Sequence, residues 1–490
     1  MPPSTGIVAG RRNANRISLI VLLSVLFLGL MWVVASTYAV PSLIKRAYNG
    51  QSLPIFNRMI SGQNSYPVTE YLARWDRRSR RVLVDLALLG VLTLLVIRPE
   101  FQRALRKGVS FVLRYRVLRF LLFALFVFLS VELPSRALLS FKPIFARIKG
   151  LDDSSRRLNW IKRQKAAFKG EQSYAYITYC STRGWCVRPD IRDSVVFGNK
   201  ILNTNSKGIR GTTEYAYIRQ PGSLRIVALG DSFTFGDEVS DDETYSSYLA
   251  DMLPNTDVLN LGVSGYGHDQ MLLYFQEEGA KYHADVVILG YVSFDADRNR
   301  HSFDSLEKPK FELSNGGLRL TNEPVPTPAE VMAREPYRLK SLDMAVMLRE
   351  RVGSYIGSNQ KQARQITSAI LDELVKTTRE HGAVPVFVYF PVWDQIYDLR
   401  EGMTSDEEFL DSYCRQHGVA CLFLRPYFRE QVKKGVNFNI RTHWGPQAHM
   451  LAAQAMRDFL ITKGLAPGVD KLSRRAGWTS EGIKREVGRR

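Results

Sequence analysis

The stretch Arg225-Ile226-Val227-Ala228-Leu229-Gly230-Asp231-Ser232-Phe233-Thr234-Phe235-Gly236 decides the fold. An apolar run of strand character ends in a Gly-Asp-Ser turn, and a helix is expected beyond it. Such a turn lifts a serine hydroxyl to the C-terminal edge of a parallel sheet, where open α/β sheets hold their ligands. Gly230 lets the backbone turn tightly, and free N–H groups at a helix start after Ser232 would face a developing oxyanion. A lone Gly-Asp-Ser is also a common turn, in which the serine only caps the next helix.

Outward from this turn, strand-like runs at Arg225–Leu229, Asp257–Leu261, Asp285–Leu289, Val384–Tyr389 and Ala420–Leu424 alternate with helical patterns. The helical patterns fall at Thr244–Leu253, Asp269–Tyr282, Lys361–His381, Asp406–His417 and Pro446–Leu460. This alternation predicts an α/β domain over 223–465, a flavodoxin-like parallel sheet with helices on both faces. The connection from about 300 to 360 is long and rich in Pro and Gly, and is expected to be a loop that could close over the site as a lid.

Two further blocks accompany the serine turn. One is Asn260-Leu261-Gly262-Val263-Ser264-Gly265-Tyr266-Gly267, followed by Asp269-Gln270; the other is His443-Trp444-Gly445-Pro446-Gln447-Ala448-His449, which opens the last helix. In this order and spacing the blocks resemble the SGNH (GDSL-like) hydrolase family, over roughly 205–463, about half the chain. The turn-rich run Asn205–Gly211 resembles membrane-anchored bacterial members. The resemblance implies that Ser232 is the nucleophile and His443 its general base, with the Ser232 and Gly262 N–H groups as oxyanion donors. It implies no cofactor and no metal. The chemistry agrees, since a serine hydroxyl needs an imidazole within reach to take its proton.

The sequence departs from the family pattern twice. An asparagine donor is expected after the third strand, where Gly290-Tyr291-Val292-Ser293-Phe294-Asp295 places Phe294; Ser293 or Asn299 could substitute. An aspartate is expected two or three residues before the histidine, where Arg441 and Ile440 stand. A backbone carbonyl or a distant carboxylate must then orient His443. The carboxylates and site-lining groups to consider are Asp231, Asp269, Asp295, Asp297 and Asn299. Asp231 also reads as a turn residue, and His449 as a ring packed at the start of the last helix.

The chain has 490 residues, and 67 Lys and Arg against 48 Asp and Glu give a net charge of +19. Much of that charge flanks apolar segments, at Arg77–Arg81 and from Arg98 to Arg119, as suits lipid headgroups. No nucleic-acid module accompanies it, which argues against a nucleic-acid partner. Transmembrane helices are expected at 17–40, 82–98 and 119–140, although the second and third are short enough to be buried or interfacial helices instead. Between them lie a polar loop at 41–81 and a basic loop at 99–118; a tail at 1–16 precedes them. A linker and small irregular preface at 141–222 leads to the α/β domain, and a basic tail at 466–490 follows it.

The four cysteines form two local pairs, Cys180/Cys186 and Cys414/Cys421, whose spacing permits disulfides and does not match a zinc site. With a cytoplasmic N-terminus, one or three spans place the α/β domain outside the cytoplasm. The expected protein is a multi-pass protein of the bacterial inner or plasma membrane. It would be a serine esterase, or an O-acyl transferase or deacylase, acting on acyl esters of an envelope polysaccharide or glycolipid. The alternative is a catalytically impaired relative that binds such a polysaccharide or assists its modification.

Overall fold

The computed structural model describes residues 115–167, 176–314, 317–397, 402–438 and 442–467, together with scattered residues between 27 and 103. The chain divides into two compact units, 1–130 and 131–490. In the first, residues 31–42 are helical, with a π-helical turn at Ala35–Ala39. The Trp32 indole donates to the Ser79 carbonyl at 3.2 Å, and Asp76 pairs with Arg80 at 2.9 Å. Most of the expected span at 82–98, much of that at 17–40, and most of the loops at 41–81 and 99–118 lie outside the described residues. So do the tail at 1–16 and residues 468–490.

Among the described residues one helix, Arg116–Ser140, is long and apolar enough to cross a membrane, with a mean hydropathy of 2.1 over its most apolar stretch. It contains the third expected span. Its last turns fall in the second unit, where Glu132 accepts hydrogen bonds from the Lys340 and Ser341 N–H groups, each at 2.9 Å. Those groups open the helix Lys340–Tyr355, whose first donors have no partner within the helix and need acceptors of this kind.

The second unit is built on five strands: β1 Leu224–Gly230, β2 Thr256–Gly262, β3 Val286–Tyr291, β4 Val384–Tyr389 and β5 Ala420–Phe423. All pairings are parallel, and the spatial order is β2-β1-β3-β4-β5, the flavodoxin-like order. Because side chains alternate across a strand, each strand feeds two cores. Ile226, Ala228, Val286 and Ile288 pack toward Leu249, Phe428 and Met456, on the helices Tyr245–Met252, Arg425–Lys433 and Pro446–Thr462. Val227, Leu229, Val287 and Leu289 face the other way, toward Met271, Ile370 and Leu410, on His268–Glu277, Ser358–Glu380 and Ser405–His417. The expected sheet with helices on both faces is therefore present.

The long connection is not the loop expected from its composition. It folds into a hairpin, Lys310–Ser314 with Gly317–Thr321, and the helices Pro328–Arg334 and Lys340–Tyr355. Thr327 and Glu330 form a reciprocal cap, with Pro328 in the first turn, so that helix starts where its sequence dictates. The expected linker at 141–222 contains a helix, Asp153–Ala167, that packs against this connection. Its Trp160 and Ile161 join Phe303 and Val331 in a small core. Arg157 reaches Glu335 at 3.1 Å and Asp343 at 2.5 Å. The preface at 176–202 forms two short hairpins, and both cysteine pairs are bridged, with Cα separations of 5.9 Å at Cys180–Cys186 and 6.3 Å at Cys414–Cys421.

One ion pair ties the start of the insertion to the sheet layer. The Lys308 ammonium is fully buried against the Asp269 carboxylate, and it also donates to the carbonyls of His301 and Pro309, each at 3.1 Å. Burial pushes the Asp269 carboxyl up, and Lys308 opposes that rise. Removing one member of a buried pair strands the other charge in a low-dielectric interior. Lys308→Met should therefore cost about 3–5 kcal/mol. A drop in the urea midpoint of tryptophan fluorescence would register it, and an unmoved midpoint would show that Asp269 is relieved in some other way.

Candidate active site

Strand β1 delivers Gly230 to the sheet edge, and the chain turns at once into the four-residue helix Ser232–Phe235. Asp231 caps that helix, accepting from the Phe233 N–H at 2.9 Å, and Gly236 ends it in the left-handed region at φ +88°. Both ends of the turn are thus fixed, and Ser232 is held at its start with its side chain almost wholly buried.

His443 arrives from the other end of the chain, just ahead of the helix Pro446–Thr462. Its neighbour Trp444 is completely buried, donates to the Pro391 carbonyl at 3.1 Å and packs its ring against Phe390, Phe428 and Phe233. With Trp444 anchored, the preceding imidazole points to the serine: His443 Nε2 lies 2.9 Å from Ser232 Oγ. His449 is buried on the same helix, and its Nδ1 accepts from the Tyr245 N–H at 3.1 Å, a packing role as expected.

Of the carboxylates singled out in the sequence, none lies against the far nitrogen of His443. Asp231 is buried between the Phe233 N–H and Arg298, whose Nη1 is 3.3 Å away; burial raises its carboxyl and Arg298 opposes the rise. Asp269 is held by Lys308. Asp295 is buried on Arg298 at 2.5 Å. Asp297 pairs with Arg300 at 2.7 Å and Arg156 at 3.3 Å. Asn299 is turned inward, donating to Thr367 Oγ1 at 2.8 Å and meeting His268 Nδ1 at 3.1 Å. Arg441 and Ile440 lie outside the described residues. Phe294, where an amide donor was expected, lies under the Arg298 guanidinium, 4.7 Å from its ring centre.

Gly262 also departs from its expected part. Its N–H donates to Asn260 Oδ1 at 3.0 Å, so that hydrogen is already engaged. A Cβ at Gly262 would come within 2.2 Å of the Phe235 nitrogen, so the missing side chain is what lets the serine-bearing helix lie on β2.

Two carboxylates passed over in the sequence do stand beside His443. Asp237 Oδ2 is 3.9 Å from Nε2, and Glu238 Oε1 is 3.5 Å from Nδ1. The signal was present, as both directly follow the serine turn, but nothing in their spacing shows the loop doubling back on the imidazole. Arg210, from the run noted before β1, is buried behind them. It donates to the carbonyls of Phe235, Gly236 and Val239, each at 2.6 Å, and to Asp241 at 2.9 Å.

Residues 228–449 match the sequence profile of the GDSL-like Lipase/Acylhydrolase family. This region is thereby classed with ester-hydrolysing enzymes. Similar solved structures include a member of the lipolytic protein G-D-S-L family from Veillonella parvula, 12% identical with a TM-score of 0.30, over 48% of this chain and 97% of that one. A catalytic mutant of an acetylxylan esterase from Geobacillus stearothermophilus is 15% identical with a TM-score of 0.29, over 49% of this chain and 96% of that one. A two-domain esterase active on acetylated mannans is 11% identical with a TM-score of 0.31, over 50% of this chain and 51% of that one. No curated protein matches the chain.

The buried Asp237 makes a testable contribution to stability. Burial pushes its carboxyl up to about 6, against the opposing pull of His443 and a hydrogen bond from Ser264. The folded protein then holds this proton more tightly than the unfolded chain does. The associated stability is full below about pH 4 and is lost as pH rises through about 6. Asp237→Asn removes the proton linkage, so its stability relative to the parent should rise by about 2–3 kcal/mol between about pH 4 and pH 8. Parallel stability–pH curves for the two proteins would refute this.

Proposed function

We propose that this protein is a membrane-anchored serine esterase, or an O-acyl transferase or deacylase, working through Ser232 and His443. Its substrates would be ester-linked acyl groups of an envelope polysaccharide or glycolipid outside the cytoplasm. The observation that carries the reading is the 2.9 Å approach of His443 Nε2 to Ser232 Oγ at the edge of a sheet matched to the GDSL-like family. As Ser232 Oγ bonds to the acyl carbon, its proton passes to Nε2 and the carbonyl π electrons move onto oxygen, facing the Ser232 N–H. Collapse of that oxyanion restores the carbonyl and breaks the bond to the alcohol, which leaves with the proton from Nε2. Water, or an acceptor hydroxyl, then repeats the sequence and frees Ser232.

Location supports the substrate class. The Arg116–Ser140 helix suits an anchor, and the two disulfides of the second unit suit an oxidising compartment. Reporter fusions after Gly150 should be active only with exported reporters. Strong activity of a cytoplasmic reporter at that position would overturn the placement.

The chemistry is tested with a fluorophosphonate probe and a small activated ester. Ser232→Ala should abolish labelling, and Ser232→Ala and His443→Ala should each remove most turnover, by about 10³-fold or more. Two groups acting as a unit are not additive, so the double variant should be little worse than either single one. An unlabelled parent protein would favour the polysaccharide-binding alternative.

A further inference from the structure

We propose that Glu238 is the positioning carboxylate of this site, holding the Nδ1–H of His443 in place of the acid that family members carry just before the histidine. The proposal rests on the Ser232–His443 reading above. Among the described residues, Glu238 is the acidic group that faces Nδ1, with Oε1 at 3.5 Å. The other acids near the serine are engaged elsewhere. Asp231 caps the Phe233 N–H and meets Arg298, Asp295 is held by Arg298, and Asp237 lies on the Nε2 side and accepts from Ser264 at 2.5 Å.

Three features hold Glu238 in this position. The Thr442 hydroxyl donates to the same Oε1, so the residue next to the histidine clasps the carboxylate that serves it. The backbone at Glu238 is in the left-handed region, at φ +70°, which is uncommon for a residue with a side chain. Arg210 grips the carbonyls on either side, at Gly236 and Val239, so that conformation is enforced from below. A carboxylate accepting from Nδ1–H fixes the tautomer whose lone pair lies on Nε2, toward Ser232 Oγ, and it stabilises the imidazolium that forms when the serine gives up its proton. The nucleophile and its distant orienting acid would then come from one continuous turn, and only the base from elsewhere.

The test uses the full-length protein in detergent, with kcat and KM measured on a short-chain activated ester and fluorophosphonate labelling rates in parallel. Glu238→Gln should lower kcat by about 10²–10⁴-fold with KM nearly unchanged, because the loss lies in tautomer control and not in binding. Glu238→Asp should recover part of that loss. Should Glu238→Gln lower the melting temperature, Thr442→Val carries the test, since freeing the carboxylate should reduce kcat in the same KM-neutral way. Full kcat in Glu238→Gln or, if that variant is destabilised, in Thr442→Val would overturn the proposal while leaving the Ser–His site standing. A loss confined to KM, or a loss that Glu238→Asp does not relieve at all, would overturn it as well. Failure of the parent reading looks different: the Ser232→Ala protein would still turn over ester, or the parent protein would not label.

Discussion

The guanidinium of Arg210 is buried under the turn that follows Ser232, and a buried charge of this kind persists only if its donors are satisfied. Here they are met by three backbone carbonyls and Asp241, all within a few residues of one another in the chain. The consequence runs in both directions. The arginine is tolerable only while the loop keeps its shape, and the loop keeps its shape because releasing any of those carbonyls would leave a charged donor without a partner. The left-handed conformations at Gly236 and Glu238 and the burial of Asp237 all sit inside this clamp. The sheet places the serine; the arginine decides what stands beside it.

Much of this was legible from residue patterns alone. The five strands and the helices between them were readable because apolar alternation at a sheet core is local information, repeated in every element. The serine and the histidine were readable because each sits at a turn with a constrained sequence. Ends of elements were less so: the pattern Asp269–Tyr282 is in fact a helix that stops at Glu277, followed by a 3-10 turn at Gly279–Tyr282. There a side chain at Gly279 would meet that of Leu261, on β2, with 3.2 Å between them, a tertiary constraint that no short window of sequence contains.

The less legible parts share that cause. The 300–360 connection has the Pro and Gly content of a loop, yet its helices form because Met347 and Val331 find partners in Leu158 and in Trp160 and Ile161, far earlier in the chain. Gly262 sits in the expected block, but its N–H lies against the Asn260 side chain and its small size serves packing. Asp269 and Asn299 carry the right chemistry for a site, but Lys308 and Thr367 draw them inward. Residue type states what a group can do, whereas the partner that reaches it first is a matter of the whole fold.

The anchoring of His443 through Trp444 has a further consequence for how the protein comes into being. During synthesis the turn carrying Ser232 emerges roughly two hundred residues before the histidine does. A chain that ended before His443 and the helix Pro446–Thr462 would carry the serine turn and Arg210 without the imidazole that lies against Ser232 Oγ. The final helix seats itself by burying Trp444 and by the bond from Tyr245 to His449, contacts that also close one face of the sheet. Completion of the hydrophobic core and arrival of His443 beside Ser232 are therefore one event.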